Sequence, residues 1–160
     1  MKLRGLVDED FTNYKLPSMF LITPYCNFKC CIENGNNICQ NMDVIKLPII
    51  EINNEALVNR YISNPITKAI VIAGLEPFDT FDDMYDFIYC LRHTHKIDDD
   101  IVIYTGYYED EILDKLVRLS QSFINIIVKF GRFIPDKPSH FDEVLGVQLA
   151  NEEQYARRLP

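Results

Sequence analysis

No stretch of this chain comes near the roughly 20 consecutive apolar residues that a bilayer-spanning helix needs, and no N-terminal segment joins a basic start to an apolar run. Neither a membrane span nor a secretory leader is expected, and the chain reads as a cytoplasmic protein. Basic residues are also in short supply: 16 Lys and Arg stand against 24 Asp and Glu, a formal charge of −8. Non-specific affinity for nucleic acid comes from cations that neutralise phosphates, so no nucleic-acid partner is expected. The sequence has no internal repeat, low-complexity run or linker-like composition, which argues for a single domain over residues 1–160. What remains is an ordinary globular composition, 48% hydrophobic with ten Phe and nine Tyr, too apolar for a disordered chain.

Cysteine, by contrast, is concentrated. Four of the five fall between Tyr25 and Asn41 at Cys26, Cys30, Cys31 and Cys39. An odd number of thiols packed into one loop is a poor disulfide framework, and in a reducing compartment such a cluster more often binds metal or does redox chemistry. Thiolates this close reach one inorganic centre, and soft sulfur donors favour zinc or an iron–sulfur cluster. Closed zinc sites usually draw on two short pairs such as C-x2-C, whereas this loop gives C-x3-C-C-x7-C with a crowded vicinal pair. Cys26, Cys30 or Cys31, and Cys39 suit a cubane cluster that leaves one iron without a protein ligand; structural zinc is the alternative. Cys90 stands apart beside an apolar stripe and reads as a small buried hydrophobe.

Periodicity supplies the frame. Residues 1–16 have no clear period and read as an irregular lead-in whose Phe11 and Tyr14 pack on the domain. Met19 to Thr23 is a first strand that delivers the chain into the cysteine loop. An extended piece over 44–50 leads to a helix capped at Asn53 or Asn54, with Leu57, Val58, Tyr61 and Ile62 at helical spacing. A strand over 67–73 stops at Gly74-Leu75-Glu76-Pro77. Thr80 to Asp83 resembles a capping box for a helix with Phe81, Met84, Phe87, Ile88 and Leu91 buried, running to about His93. Residues 101–104 form a third strand, a helix follows with Ile112, Leu113, Leu116 and Val117, and 125–128 form a fourth strand. Residues 131–160 read as an irregular tail. The alternation predicts an α/β fold with parallel strands and right-handed crossovers. Ligands in such folds bind beyond the carboxyl ends of the strands, so the cysteine loop, Gly74 to Pro77 and Tyr104 to Gly106 are expected on one rim.

These motifs together resemble the radical-SAM superfamily, in particular the activating proteins of anaerobic ribonucleoside-triphosphate reductase. Cys26-x3-Cys30 resembles the opening of that family's C-x3-C-x2-C loop, and Cys39-Gln40-Asn41 its close. Gly74-Leu75-Glu76-Pro77 is similar to the Gly-Gly-Glu-Pro turn after the second strand. Tyr104-Thr105-Gly106-Tyr107, followed by Glu109 to Ile112, resembles the strand-end Thr-Gly-Tyr with its acidic helix start. Ile126 to Phe133 is similar to the fourth strand, and Gly146 to Asn151 loosely to the closing segment. The departures are extra residues before Cys39, Glu33 where a third cysteine would stand, Leu75 in place of glycine, and Lys129 in place of an acid.

The resemblance implies a shortened, open parallel β/α barrel of radical-SAM type. It implies a 4Fe-4S cluster on Cys26, Cys30 and Cys39, with Cys31 as alternate ligand, and S-adenosyl-L-methionine (SAM) bound by Gly74, Glu76, Pro77, Tyr104, Thr105, Gly106 and Asn41. It further implies an external one-electron donor and a glycyl-radical reductase as protein substrate. The alternatives are a radical-SAM enzyme acting on a small molecule or peptide, and a non-catalytic metal-stabilised module. No side chain is assigned a catalytic role. Glu76 reads as holding backbone groups in place, and Lys129 and Arg132 read either as contacts to SAM or a partner, or as solvated. His93, His95 and Asp98 to Asp100 read as a helix end and a turn, and His140 as a surface residue.

Overall fold

The computed structural model describes residues 1–34 and 38–160. Its strands are β1 (Lys2–Leu3), β2 (Gly5–Asp10), β3 (Ser18–Ile22), β4 (Ile50–Glu51), β5 (Ala69–Ala73), β6 (Asp100–Tyr104), β7 (Ile126–Phe130), β8 (His140–Asp142), β9 (Val147–Leu149) and β10 (Tyr155–Arg158). The helices are α1 (Lys29–Asn34), α2 (Asn54–Ser63), α3 (Phe81–Tyr89) and α4 (Leu113–Ser122). Six strands make one sheet in the order β10-β7-β6-β5-β3-β2. The inner four are parallel and the two edges antiparallel. The fold is therefore α/β with a mixed, mostly parallel sheet. The sheet runs from edge to edge, and among the described residues no pairing closes it into a barrel.

Strands β5 and β7 are buried at every position, as expected of parallel strands covered on both faces. Their two-residue period sorts side chains between two cores. Ile70, Ile72, Ile101, Ile103 and Val128 join α2, α3 and α4 on one face. Val71, Val102 and Ile127 pack with Tyr14, Leu145 and Leu149 on the other. That second face is covered by the chain's two ends rather than by helices: the Tyr14 hydroxyl donates to Asp100 at 2.7 Å, and the Lys15 N–H donates to the Leu145 carbonyl at 2.8 Å.

Both ends differ from the sequence expectation. The lead-in carries β1, paired with β4, and β2, paired antiparallel with β3. Its alternation is masked because β2 is an edge strand bearing Asp8, Glu9 and Asp10, charges of the kind that protect sheet edges. Tyr14 is buried as expected, but Phe11 is exposed. The tail forms the β8–β9 hairpin and then β10, which pairs with β7. Residues 44–50 form a 3-10 turn, Val44–Lys46, before the short β4. Thr80 makes no side-chain cap; a 3-10 turn, Pro77–Thr80, leads into α3. Ile62, Leu113 and Val117 face solvent, so the buried stripes of α2 and α4 are narrower than their apolar spacing suggested. Asn53 caps α2 as read, accepting from the Glu55 N–H at 2.8 Å. No helix of the described residues is long and apolar enough to cross a membrane.

Candidate metal centre

The carboxyl ends of β3, β5, β6 and β7 carry the loops that matter. At the end of β3, Thr23 bonds the Ala73 carbonyl through its N–H (2.9 Å) and its hydroxyl (3.1 Å). Two residues on, the Tyr25 carbonyl accepts from the Glu76 N–H at 2.8 Å. These contacts stitch the start of the cysteine loop to the turn after β5. Gly74 adopts φ +88°, and a Cβ there would lie 2.5 Å from Ile22 Cγ2, so only glycine fits the turn without strain. Asn41, just past Cys39, donates its amide to the Gly74 carbonyl at 2.6 Å. The loop thus leaves the sheet beside Gly74 and returns to it.

The result is one cleft of about 330 Å³ lined by Cys26, Cys30, Cys39, Asn41, Gly74, Glu76, Tyr104, Thr105 and Gly106. Of the residues singled out by sequence, Pro77 and Cys31 are not among its walls. Pro77 is buried at the head of the 3-10 turn, and Cys31 sits next to Cys30 on α1. Gly106 lets the chain pass close to the thiols: a Cβ there would lie 3.1 Å from Cys30 Sγ, a tight contact. Cys26 Sγ accepts from the Phe28 N–H at 3.2 Å and Cys39 Sγ from the Asn41 N–H at 3.4 Å. One trio of donor atoms among the described residues, on Glu55, Cys90 and His95, lies mutually within 4.8 Å. The three loop thiols of the cleft are spread more widely than that.

Burial pushes the Cys26 thiol up to about 12 and raises Cys39 as well, with the Phe28 and Asn41 N–H groups opposing. A metal centre must displace those protons, since thiolates are the ligands. Glu76 is buried; desolvation raises it to about 7, against hydrogen bonds from the Thr105 hydroxyl (2.7 Å), the Gly106 N–H (2.9 Å) and the Phe78 N–H (3.1 Å). Its carboxyl ties the ends of β5 and β6 together, the positioning role read from the sequence.

Lys129 and Arg132, which the sequence left open between ligand or partner contact and solvation, are both buried. Lys129 lines the cleft, donates to the Gly131 carbonyl at 3.1 Å, and is lowered to about 8 by desolvation, with Cys30 and Glu76 opposing. Arg132 is a clamp. It meets Glu33 through two nitrogens (2.8 and 2.9 Å) and Glu111 at 2.7 Å, and it also bonds the Gly106 carbonyl. Lys29 reaches the same Glu111 at 2.7 Å, so one face of α1 is tied to the strand-end loops near both of its ends. Phe133, Gln148, Ala150 and Gln154 complete the wall, all from the segment that reads as a loose tail. Glu33, a departure from the family spacing by sequence, is thus an anchor of the loop.

No curated protein and no solved structure matches the chain at a significant level. A family model described as a 4Fe-4S single cluster domain matches residues 18–148, from the first residue of β3 into β9. All four loop cysteines and the carboxyl ends of β3, β5, β6 and β7 fall inside that span, and this chain belongs to the 4Fe-4S single cluster domain family.

Proposed function

We propose that the chain is a radical-SAM enzyme of the glycyl-radical-activating type, a single domain on a shortened, open β/α barrel that works in the reducing cytoplasm. One observation carries the reading: Cys26, Cys30 and Cys39 share a cleft with the Gly74 to Glu76 turn and the Tyr104 to Gly106 strand end. Three thiols and a roomy, partly polar wall fit a cluster with one iron open to a small amino-acid-like ligand. Cys26, Cys30 and Cys39 would hold the cluster, and Cys31 would stand by as a neighbouring thiol. With SAM bound, such a centre supplies one-electron reductive cleavage of the sulfonium.

The chain's own residues bind and shield. Asn41 and Gly74 fix the loop over the turn, while Glu76, Thr105 and Gly106 hold the β6 end in register with it. Lys129 offers a buried cation toward an anionic end of the ligand. Phe20, Ala73 and Leu75 give the cleft apolar surface that excludes water. Leu75 stands where the family turn has glycine, and its side chain lines the cleft without unseating Gly74 or Glu76. The partner would be a glycyl-radical reductase that covers the cleft, with an external protein as one-electron donor.

The test is anaerobic reconstitution with iron and sulfide, followed by electron paramagnetic resonance of the reduced protein before and after SAM. A reduced 4Fe-4S signal that changes on SAM addition, with 5′-deoxyadenosine as product, is the expected result. Stoichiometric zinc without a cluster refutes the reading. A cluster signal that SAM does not move reduces the chain to a cluster-stabilised binding module. Glycyl-radical formation on a candidate reductase then separates activation of a protein from modification of a small molecule.

A further inference from the structure

The three side chains that do approach the spacing of a single ion lie elsewhere. Cys90 follows the last residue of α3, and the chain continues through a π-turn, Cys90–Thr94, to His95. In an α-helix, residues five apart point about 140° away from each other around the axis. Here the His95 N–H bonds the Cys90 carbonyl at 3.2 Å, a five-residue closure that widens the turn and brings both side chains to one side. Turns of this kind occur often at functional sites. Glu55, in the first turn of α2, meets both: the Cys90 thiol donates to Oε1 at 3.3 Å, and His95 Nε2 lies 2.6 Å from Oε2. A solvent-facing cleft, walled by Glu55, Cys90, Asn54 and Thr94, adjoins the trio and shares no lining residue with the cysteine cleft.

We propose that Glu55, Cys90 and His95 form a second metal site, for Zn²⁺ or a divalent ion of similar softness, with water from the adjoining cleft as fourth ligand. One thiolate, one imidazole and one carboxylate make a donor set that zinc accepts and that hard cations such as Mg²⁺ do not seek. The three atoms lie mutually within 4.8 Å, and ligands of a tetrahedral zinc stand about 3.3 to 3.8 Å apart. Small rotations of Glu55 and His95, which are partly exposed, therefore suffice. Thiolate and carboxylate neutralise the ion, and the Cys90 proton leaves to solvent on binding. The bound ion would pin the start of α2 to the end of α3. The proposal does not depend on which group occupies the cysteine cleft.

Cobalt is the probe, because its spectrum reports thiolate ligation. The full-length chain with Cys26, Cys30, Cys31 and Cys39 replaced by serine is titrated anaerobically with Co²⁺, its fold checked by circular dichroism. One equivalent should bind, with a thiolate-to-cobalt charge-transfer band and tetrahedral visible bands. Cys90→Ser in that background should abolish the charge-transfer band. His95→Ala should weaken binding at least tenfold, no less than the loss that changes around a ligand shell produce. If the serine variant does not fold, Zn²⁺ is measured instead on the cluster-loaded wild-type chain against its Cys90→Ser variant, by metal analysis after dialysis. One zinc lost with Cys90 supports the site. No bound metal, or binding indifferent to Cys90 and His95, overturns it and leaves the trio as a hydrogen-bonded clip between helices.

Discussion

Gly74→Ala is the sharpest test of how the cysteine loop is seated. The substitution introduces two penalties that can be separated. At φ +88° an alanine is strained by about 1 to 2 kcal/mol. Its Cβ also meets Ile22 Cγ2 at 2.5 Å and the Ile22 backbone at 3.3 Å, an overpacking that costs about 1 to 3 kcal/mol. The sum is about 3 kcal/mol. Urea unfolding followed by circular dichroism should show the midpoint falling by roughly 1 to 2 M at an ordinary slope for a chain of this size. Ile22→Ala removes Cγ2 and so relieves the steric part, but not the backbone part. The double variant should therefore be more stable than the sum of the two singles predicts, by about 1 to 2 kcal/mol. Additivity within about 0.5 kcal/mol would mean the two positions do not press on one another, and the account of the turn would be wrong.

Three other outcomes follow from the same geometry. Cys31→Ala should keep most of the iron after reconstitution and Cys30→Ala should lose it; the reverse pattern would exchange the two ligands. Arg132→Met strips the counter-charge from Glu33 and Glu111 and leaves the Gly106 carbonyl without its partner. Glu33 is half exposed and contributes little, so the loss is about 2 to 4 kcal/mol from the buried contacts. It is read by thermal melting, and Arg132→Lys, lacking the planar fork, should restore less than half. Arg132, with further help from Lys29 and the Tyr108 N–H, holds Glu111 down at about 2 against its burial. The folded value lies below the unfolded one near 4.3, so this stabilisation is complete above that value and is lost as pH falls toward 2. Glu111→Gln should therefore cost about 1 to 3 kcal/mol at pH 6, after solvent screening, about a quarter of that near pH 2.5, and almost nothing only below about pH 2. A gap that does not change with pH would refute the assignment.

The inner sheet was legible because burial on both faces leaves one kind of sequence, seen in Ala69–Ala73 and Ile126–Phe130. The edges were not. Gly5–Asp10 and Tyr155–Arg158 carry charges that shield unpaired strand edges, and those charges erase the alternation that would mark a strand. The same limit governs the site. Gly74, Glu76 and Gly106 announce themselves because turns after buried strands have few solutions. Arg132 and Glu33 lie 99 positions apart in sequence, and no local pattern joins them. His95 and Cys90 were read separately, as a helix end and a core residue, because helical spacing puts them on different faces. The widened turn that unites them has no sequence signature.

The order of strands in space follows their order along the chain from β2 through β3, β5, β6 and β7, and β10 then closes the outer edge. Each new strand can therefore dock beside its predecessor as it leaves the ribosome, without waiting for a distant segment. The thiols emerge early with the loop after β3, yet the walls around them come from Lys129, Phe133, Gln148 and Gln154. A nascent chain thus presents its loop thiols before the segments that wall them in. The walls of the cleft are therefore complete only once the chain has been made as far as Gln154.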